Sequence, residues 1–132
     1  QQSGESILYY TWTPYWVSGE LVPGENVEWL SVPYTSLPDS VVVDTEFAGH
    51  NLGFAVDSMF ILASDEFLEA NPPVASLFKA AQIDVNDISA QNLLMSKGED
   101  SSEDIDRHVD VWIEAHRAAY DSWLEAARAA AQ

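Results

Sequence analysis

Apolar positions in the first half of the chain come in short runs, whereas in the second half they recur every three to four residues. The first pattern predicts strands and the second predicts amphipathic helices. Gln1 to Gly4 fit the frayed end of a helix whose body lies upstream. Ser6-Ile7-Leu8-Tyr9-Tyr10 is an apolar and aromatic run of buried-strand length. Pro14 fits the first position of a helix over residues 14–21, where its missing N–H costs nothing, with Thr13 as N-cap. Val22-Pro23-Gly24-Glu25-Asn26 is a turn cluster, and Val27 to Val32 alternates as a strand does. Pro33, Pro38 and Gly49 break residues 33–52 into irregular chain in which Val41-Val42-Val43 could pair briefly. Gly53 to Ala63 is nearly continuous in apolar content and suits a buried strand, with a bend or bulge at Asp57-Ser58.

From Ser64 onward the spacing is helical. Ser64 is an N-cap with Asp65 and Glu66 in the first turn, where carboxylates favour the positive end of the helix dipole, and this helix runs to about Ala70. Pro72 disfavours helix at Asn71, and Pro73 opens the next helix through Ala81. Another is predicted from Val85 to Lys97, ending at Gly98. The last begins near Ser101 or Ser102 and runs to Ala130, with Ile105, Val109, Trp112, His116, Ala119, Trp123 and Ala127 on one face. Unbroken, it would span about 40 Å.

The chain has 132 residues, the length of one ordinary domain, and no cysteine, which excludes disulfide scaffolds and thiolate metal sites. No apolar run reaches the roughly 18 residues of a membrane-spanning helix. The start, Gln1-Gln2-Ser3-Gly4-Glu5, has neither the basic residues nor the apolar stretch of a signal peptide and no initiator Met, so the expectation is a processed or excised chain. Charge is far from balanced: 22 acidic against 5 basic residues give a formal −17. Nucleic acid is thereby excluded as a partner, since phosphate binding needs clustered Lys and Arg. Such a potential could concentrate a cationic ligand, or it could simply keep the surface strongly solvated.

Candidate chemistry concentrates in Tyr9-Tyr10-Thr11-Trp12-Thr13-Pro14-Tyr15-Trp16, where five aromatic rings surround a proline at the expected strand-to-helix junction. Loops at the carboxyl ends of strands in open α/β sheets are where ligands bind, and Trp12 would lie in one. An indole face carries a negative quadrupole and suits a cation that hydrogen bonds cannot capture, such as a quaternary ammonium. The competing reading is core or rim packing. His108 and His116, with Asp104, have spacings that could place ligands on one helix face; packing for His116 and solvation for His108 is the competing expectation. His50 could meet a ligand or lie at the surface. Ser58 with His50 and Asp44 or Asp57 has the residue types of a nucleophilic triad but lacks the nucleophile-elbow glycines. Asp65-Glu66 and Glu103-Asp104 read as helix-start charges rather than glycosidase acids.

The strings YYTWTPYWVSGEL, VEWLSVPYTSLP, LGFAVDSMFILAS and DISAQNLLMSKGEDSSEDIDRHVDVWIEAHRAAYDSWLEAA follow one another through nearly the whole chain. Together they resemble the carboxy-terminal part of the ProX family, the glycine betaine/proline betaine substrate-binding proteins of ABC importers. The YTWTPYW string and the H-V-D-x-W-I-x-A-H helix are the most specific of them. The resemblance implies an α/β, partial type II periplasmic-binding-protein-like fold: pieces of two lobes, with a helix-rich carboxy-terminal half. Residues 1–52 would be a segment of one ligand-binding lobe carrying the aromatic loop. Residues 53–132 would be the crossover strand and carboxy-terminal helices of the other.

The same resemblance implies a glycine betaine-like quaternary ammonium zwitterion held in a box of tryptophans, of which this chain supplies Trp12. Tyr10, Thr11, Thr13 and Pro14 would shape the loop, while Tyr15 and Trp16 pack the following helix. The implied partners are that ligand, a membrane ABC permease, and an amino-terminal portion of the same protein carrying the other walls; uncovered apolar faces could add self-association. It implies a periplasmic or extracytoplasmic location, and neither enzymatic activity, cofactor nor metal. The alternative from a different class is an acidic α/β protein-interaction module with no small-molecule ligand, docking through its acidic surface and long last helix.

Overall fold

The computed structural model describes residues 4–39 and 42–131. The chain divides into two compact units, one of Gln1–Glu20 with Ala63–Gln132 and the other of Leu21–Leu62. The first is helical: α1 (Val17–Glu20), α2 (Asp65–Ala70), α3 (Pro72–Ala80), α4 (Val85–Ser96), α5 (Ser102–Ala115) and α6 (Arg117–Ala129). The second holds a two-stranded antiparallel hairpin, β1 (Glu46–Phe47) and β2 (His50–Asn51), in which Glu46 faces Asn51 and Phe47 faces His50.

Helix starts follow their caps. The Ser64 hydroxyl accepts from the Phe67 amide at 3.2 Å, the Asp84 carboxylate from the Asn86 amide at 2.8 Å, and the Ser101 hydroxyl from the Asp104 amide at 3.1 Å. Pro72 and Pro73 both occupy the first turn of α3, where no intrahelical donor is required of them. Gly98, at φ +99°, ends α4 in the left-handed conformation. Its amide bonds the Met95 carbonyl and the Glu99 amide bonds the Leu94 carbonyl, the Schellman pattern that satisfies the last carbonyls of a helix.

Three expectations are corrected. Residues 6–10 and 54–62 form no strand, and residues 27–32 contribute only a bridge between Pro23 and Val27. A strand satisfies its backbone on a neighbour, and among the described residues these segments find only scattered bonds, such as the Val32 amide to the Asn51 carbonyl at 2.8 Å and the Val56 amide to the Asp44 carbonyl at 2.9 Å. The structure is therefore far richer in helix than an α/β pattern implies. Secondly, the first helix begins at Val17, not Pro14, and has 4 residues. Thirdly, the long last helix is kinked at His116, whose φ −113° and ψ 28° depart from helical values. Its ring bonds the Trp112 carbonyl at 3.0 Å, sharing that acceptor with the His116 amide at 2.9 Å. Beyond the bend α6 packs on α3, where the Ser76 hydroxyl donates to the Ala126 carbonyl at 3.0 Å. Of the Val41–Val43 run, Val41 lies outside the described residues, as does the segment before Gly4; Val42 and Val43 are exposed and unpaired with any strand.

In the second unit, organisation is polar. Asn51 Oδ1 lies 3.1 Å from the Thr35 hydroxyl, 3.0 Å from the Thr45 hydroxyl and 3.0 Å from the Gly53 amide that donates to it. The two hydroxyls are also 2.7 Å apart. They have one proton each for three contacts, so two of the three are hydrogen bonds at any moment. Trp29 meets Phe47 edge-on at 6.3 Å.

No hydrophobic residue among the described ones is fully buried. The chain exposes 10309 Å².

Candidate functional site

The aromatic loop is held at its far end by α1. Gly19 sits so close to Leu93 of α4 that an added Cβ would lie 2.7 Å from Leu93 Cδ2. The Lys97 ammonium reaches the Glu20 carboxylate at 3.0 Å. Thr13 Oγ1 is 3.0 Å from Ser18 Oγ, which ties the loop to the helix that follows it. Glycine at position 19 thus sets how closely the loop's anchor approaches α4.

Within this loop the rings form a chain of contacts. Trp12 stacks on Tyr15 with centroids 4.8 Å apart and planes 27° apart. Tyr10 meets Trp12 at 6.3 Å and 46°, and Tyr15 meets Trp16 at 5.8 Å and 50°. Trp12 is 55% exposed, so Tyr15 supports its indole without enclosing it. Tyr10 is exposed, Thr11 and Pro14 are half-buried, and the Thr13–Pro14 peptide bond is cis. Tyr15 was expected to pack the helix; instead its ring lies against Trp12. The three-residue spacing of Trp12 and Tyr15 was the available signal, obscured by placing Pro14 inside a helix.

The histidines fall elsewhere. His108 was expected to be solvated, yet its side chain is only 10% exposed. Its Nδ1 lies 3.2 Å from the Gln91 amide nitrogen and its Nε2 3.0 Å from a Glu99 carboxylate oxygen. The Gln91 amide nitrogen and the Arg107 guanidinium, 3.2 Å from Nε2, can only donate, whereas Glu99 can only accept, so Nε2 bonds either Glu99 as a donor or Arg107 as an acceptor and not both at once. Arg107 completes the cluster at 2.6 Å from Glu99 and 2.7 Å from Asp104. The His108 hydrogen bond, aided by Arg107, holds the Glu99 carboxyl below its ordinary range. The Ser101 hydroxyl and then Arg107 do the same for Asp104, while Asp104 and Glu99 raise the Arg107 guanidinium. Asp104 thus faces Ser101 and Arg107 rather than joining the histidines.

His116 stacks on Trp112 at 4.4 Å, and Trp112 in turn faces Trp123 at 5.8 Å. Asp87 accepts from the Trp112 indole N–H at 2.9 Å and lies 3.5 Å from His116. His50 is paired with Ser31 at 3.0 Å, and Asp44 accepts from the Glu46 amide, so neither joins Ser58 in a triad. Among the described residues no group of three or more His, Asp and Glu side chains is arranged to hold a metal ion. No described helix is long and apolar enough to cross a membrane. Asp87, Gln91 and Glu99 were not singled out by sequence; their roles depend on how α4 lies against α5, which no local spacing encodes.

A half-exposed indole backed by a tyrosine can receive a cationic group on its free surface. The family model for the substrate-binding domain of ABC-type glycine betaine transport systems matches residues 1–115. The chain belongs to that family. It is 50% identical over 133 residues to the glycine betaine-binding periplasmic protein OusX of Dickeya dadantii, covering 99% of this chain and 40% of that protein. Similarity to the glycine betaine/proline betaine-binding periplasmic protein of Escherichia coli is 48% identity over 130 residues, covering 98% of this chain and 39% of the relative. For the protein of the same name in Salmonella typhimurium the figures are 45% over 131 residues, 98% and 40%. The chain therefore spans about two-fifths of the length of these relatives. The family and these relatives are named for binding a substrate, not for transforming one.

Proposed function

We propose that the chain is the carboxy-terminal part of the periplasmic substrate-binding component of an ABC importer for glycine betaine, proline betaine or a related quaternary ammonium osmoprotectant. Trp12 is one wall of the cation site, Tyr10, Thr11, Thr13 and Pro14 shape its loop, and a membrane permease receives the ligand. The observation that carries this reading is the Trp12 indole, backed on Tyr15 and still 55% exposed. Family membership and the names of the similar periplasmic proteins support the ligand class and the compartment.

In this reading, of the two lobes of a type II periplasmic-binding-protein fold, residues 1–52 belong to one and residues 53–132 to the other. The lobes close around the ligand as contacts available only in the closed state draw the population toward it. A desolvated cation–π contact is worth on the order of 1–2 kcal/mol. One ring therefore cannot supply the roughly −8 kcal/mol of micromolar binding, and several can. The remaining walls are assigned to the amino-terminal portion that the relatives carry, and without it the uncovered apolar faces favour self-association.

Calorimetry tests this directly. The 132-residue chain alone should bind glycine betaine weakly or not at all. The protein extended by the amino-terminal portion should bind it in the micromolar range, and Trp12→Ala in that protein should weaken binding by about tenfold or more. An unchanged titration would remove Trp12 from the site; micromolar binding by the short chain would refute the division of walls.

A further inference from the structure

Trp12 and Tyr15 are held in the loop to different degrees. Tyr15 is half-buried, and the chain around it closes on itself. The Ser18 amide donates to the Tyr15 carbonyl at 3.1 Å, the Gly19 amide donates to the Trp16 carbonyl at 3.0 Å, and Thr13 Oγ1 lies 3.0 Å from Ser18 Oγ. These bonds fix the Tyr15 backbone at the entrance to α1. Trp12 precedes them and is 55% exposed. Its most parallel ring contact is the stack on Tyr15, with centroids 4.8 Å and planes 27° apart. Tyr10 meets Trp12 at 6.3 Å and 46°, the farther and less parallel of the two contacts.

An indole has two faces, and a cation can use either one when both are free. With centroids 4.8 Å apart the two rings touch, so no ammonium group fits between them. One face of Trp12 is thereby closed to a ligand. The stack also acts before any ligand arrives. An exposed tryptophan turning freely about its side-chain bonds would have to be ordered on binding, which lowers affinity. Resting on a tyrosine whose backbone is already fixed, the indole is ordered in advance.

We propose that Tyr15 is a positioning residue for the cation site: it closes one face of Trp12 and holds the indole so that a quaternary ammonium meets the opposite face. The inference rests on the reading of Trp12 as a wall of that site. It adds a residue that touches no ligand yet sets where the ligand can lie.

The test uses the protein extended by the amino-terminal portion, titrated with glycine betaine. Tyr15→Leu removes the aromatic ring and should weaken binding about three- to tenfold, the loss expected of one aromatic pair, while Tyr15→Phe keeps the ring and should bind within about twofold of the parent. In a Trp12→Ala background Tyr15→Leu should change binding less than about twofold, because no indole is left to position. A role in folding alone would lower binding in both backgrounds. Fluorotryptophan incorporation supplies a signature that needs no ligand. The Trp12 fluorine resonance, assigned by its loss in Trp12→Phe, should move in Tyr15→Leu and move less in Tyr15→Phe, which keeps an aromatic ring against the indole.

An unmoved resonance in Tyr15→Leu would overturn the proposal. So would equal weakening of betaine binding in the two backgrounds, or weakening by Tyr15→Phe as large as by Tyr15→Leu, which would make the hydroxyl a ligand contact. The two readings fail separately. Weakened binding by Trp12→Ala with Tyr15→Leu at parental affinity overturns the positioning role alone; an unchanged titration for Trp12→Ala overturns the wall and the positioning role with it.

Discussion

Replacing Gly19 with alanine sets two effects of similar size against each other. In helix α1, alanine is favoured over glycine by about 1 kcal/mol. Against this, the new Cβ would lie 2.7 Å from Leu93 Cδ2, 3.3 Å from Leu93 Cβ and 3.4 Å from Leu93 Cγ. The Cδ2 approach is the severe one, while the Cβ contact, which an alanine at position 93 would keep, asks only for a shift of a few tenths of an ångström. Overpacking of this kind costs about 1–3 kcal/mol, so Gly19→Ala should destabilise the helical unit by about 1 kcal/mol net. In a Leu93→Ala background the Cγ and Cδ2 atoms are gone, and the same substitution should become neutral or stabilising by up to about 1 kcal/mol. The double-mutant cycle should therefore show a coupling of about 2 kcal/mol with a change of sign. Urea unfolding followed by tryptophan fluorescence and by circular dichroism measures all four corners. If Gly19→Ala has the same effect in both backgrounds, the close approach of α1 to α4 does not hold the aromatic loop. The Lys97–Glu20 pair cannot substitute for it, because both side chains are well exposed and such pairs contribute about 0–1 kcal/mol.

Acidification should loosen the junction of α4 and α5. Glu99 and Asp104 are held below their ordinary values of 4.5 and 3.8, so their contribution is complete above those values and is lost as pH falls through the lower folded values. Amide exchange across residues 99–108 should accelerate relative to α3 below about pH 4, and Arg107→Ala should flatten that difference; a pH-independent ratio would refute the assignment. In the second unit, Asn51→Ala removes the acceptor shared by Thr35, Thr45 and the Gly53 amide. With Thr45 only 8% exposed, the loss should be about 1–3 kcal/mol and confined to residues 21–62 by exchange measurements. Loss of protection in α3 and α6 as well would show that the two units unfold together.

Local signals were legible from residues alone. Ser64 caps α2 and Ser101 caps α5 where the sequence placed those helix starts, and Gly98 ends α4 in the left-handed conformation that glycine adopts without strain; the Asp84 cap of α4 was not singled out. The family was legible as well, carried by the YTWTPYW string and the H-V-D-x-W-I-x-A-H helix. Trp12 could be singled out by its neighbours, but the stack with Tyr15 could not, since it depends on where the loop turns before α1.

Apolar runs such as Ile7 to Tyr10 and Phe54 to Leu62 carry strand character that never becomes a ladder here. A run of residues specifies the side chains of a strand, whereas its hydrogen bonds belong to a neighbour, and among the described residues these runs lack one. The bend at His116 was hidden for a related reason: the face from Ile105 to Ala127 repeats without interruption. The turn goes with the packing of α6 on α3, which no local spacing encodes. The sequence by itself determined the Ser64 cap, the Gly98 stop, the charge and the family, because these are settled within a few residues or by composition, whereas the Thr13 cap failed with the helix expected at Pro14. Tertiary structure decided the Trp12–Tyr15 stack and the Glu99–Arg107–His108 cluster. Each of these joins groups whose distance the backbone sets only after the helices have packed.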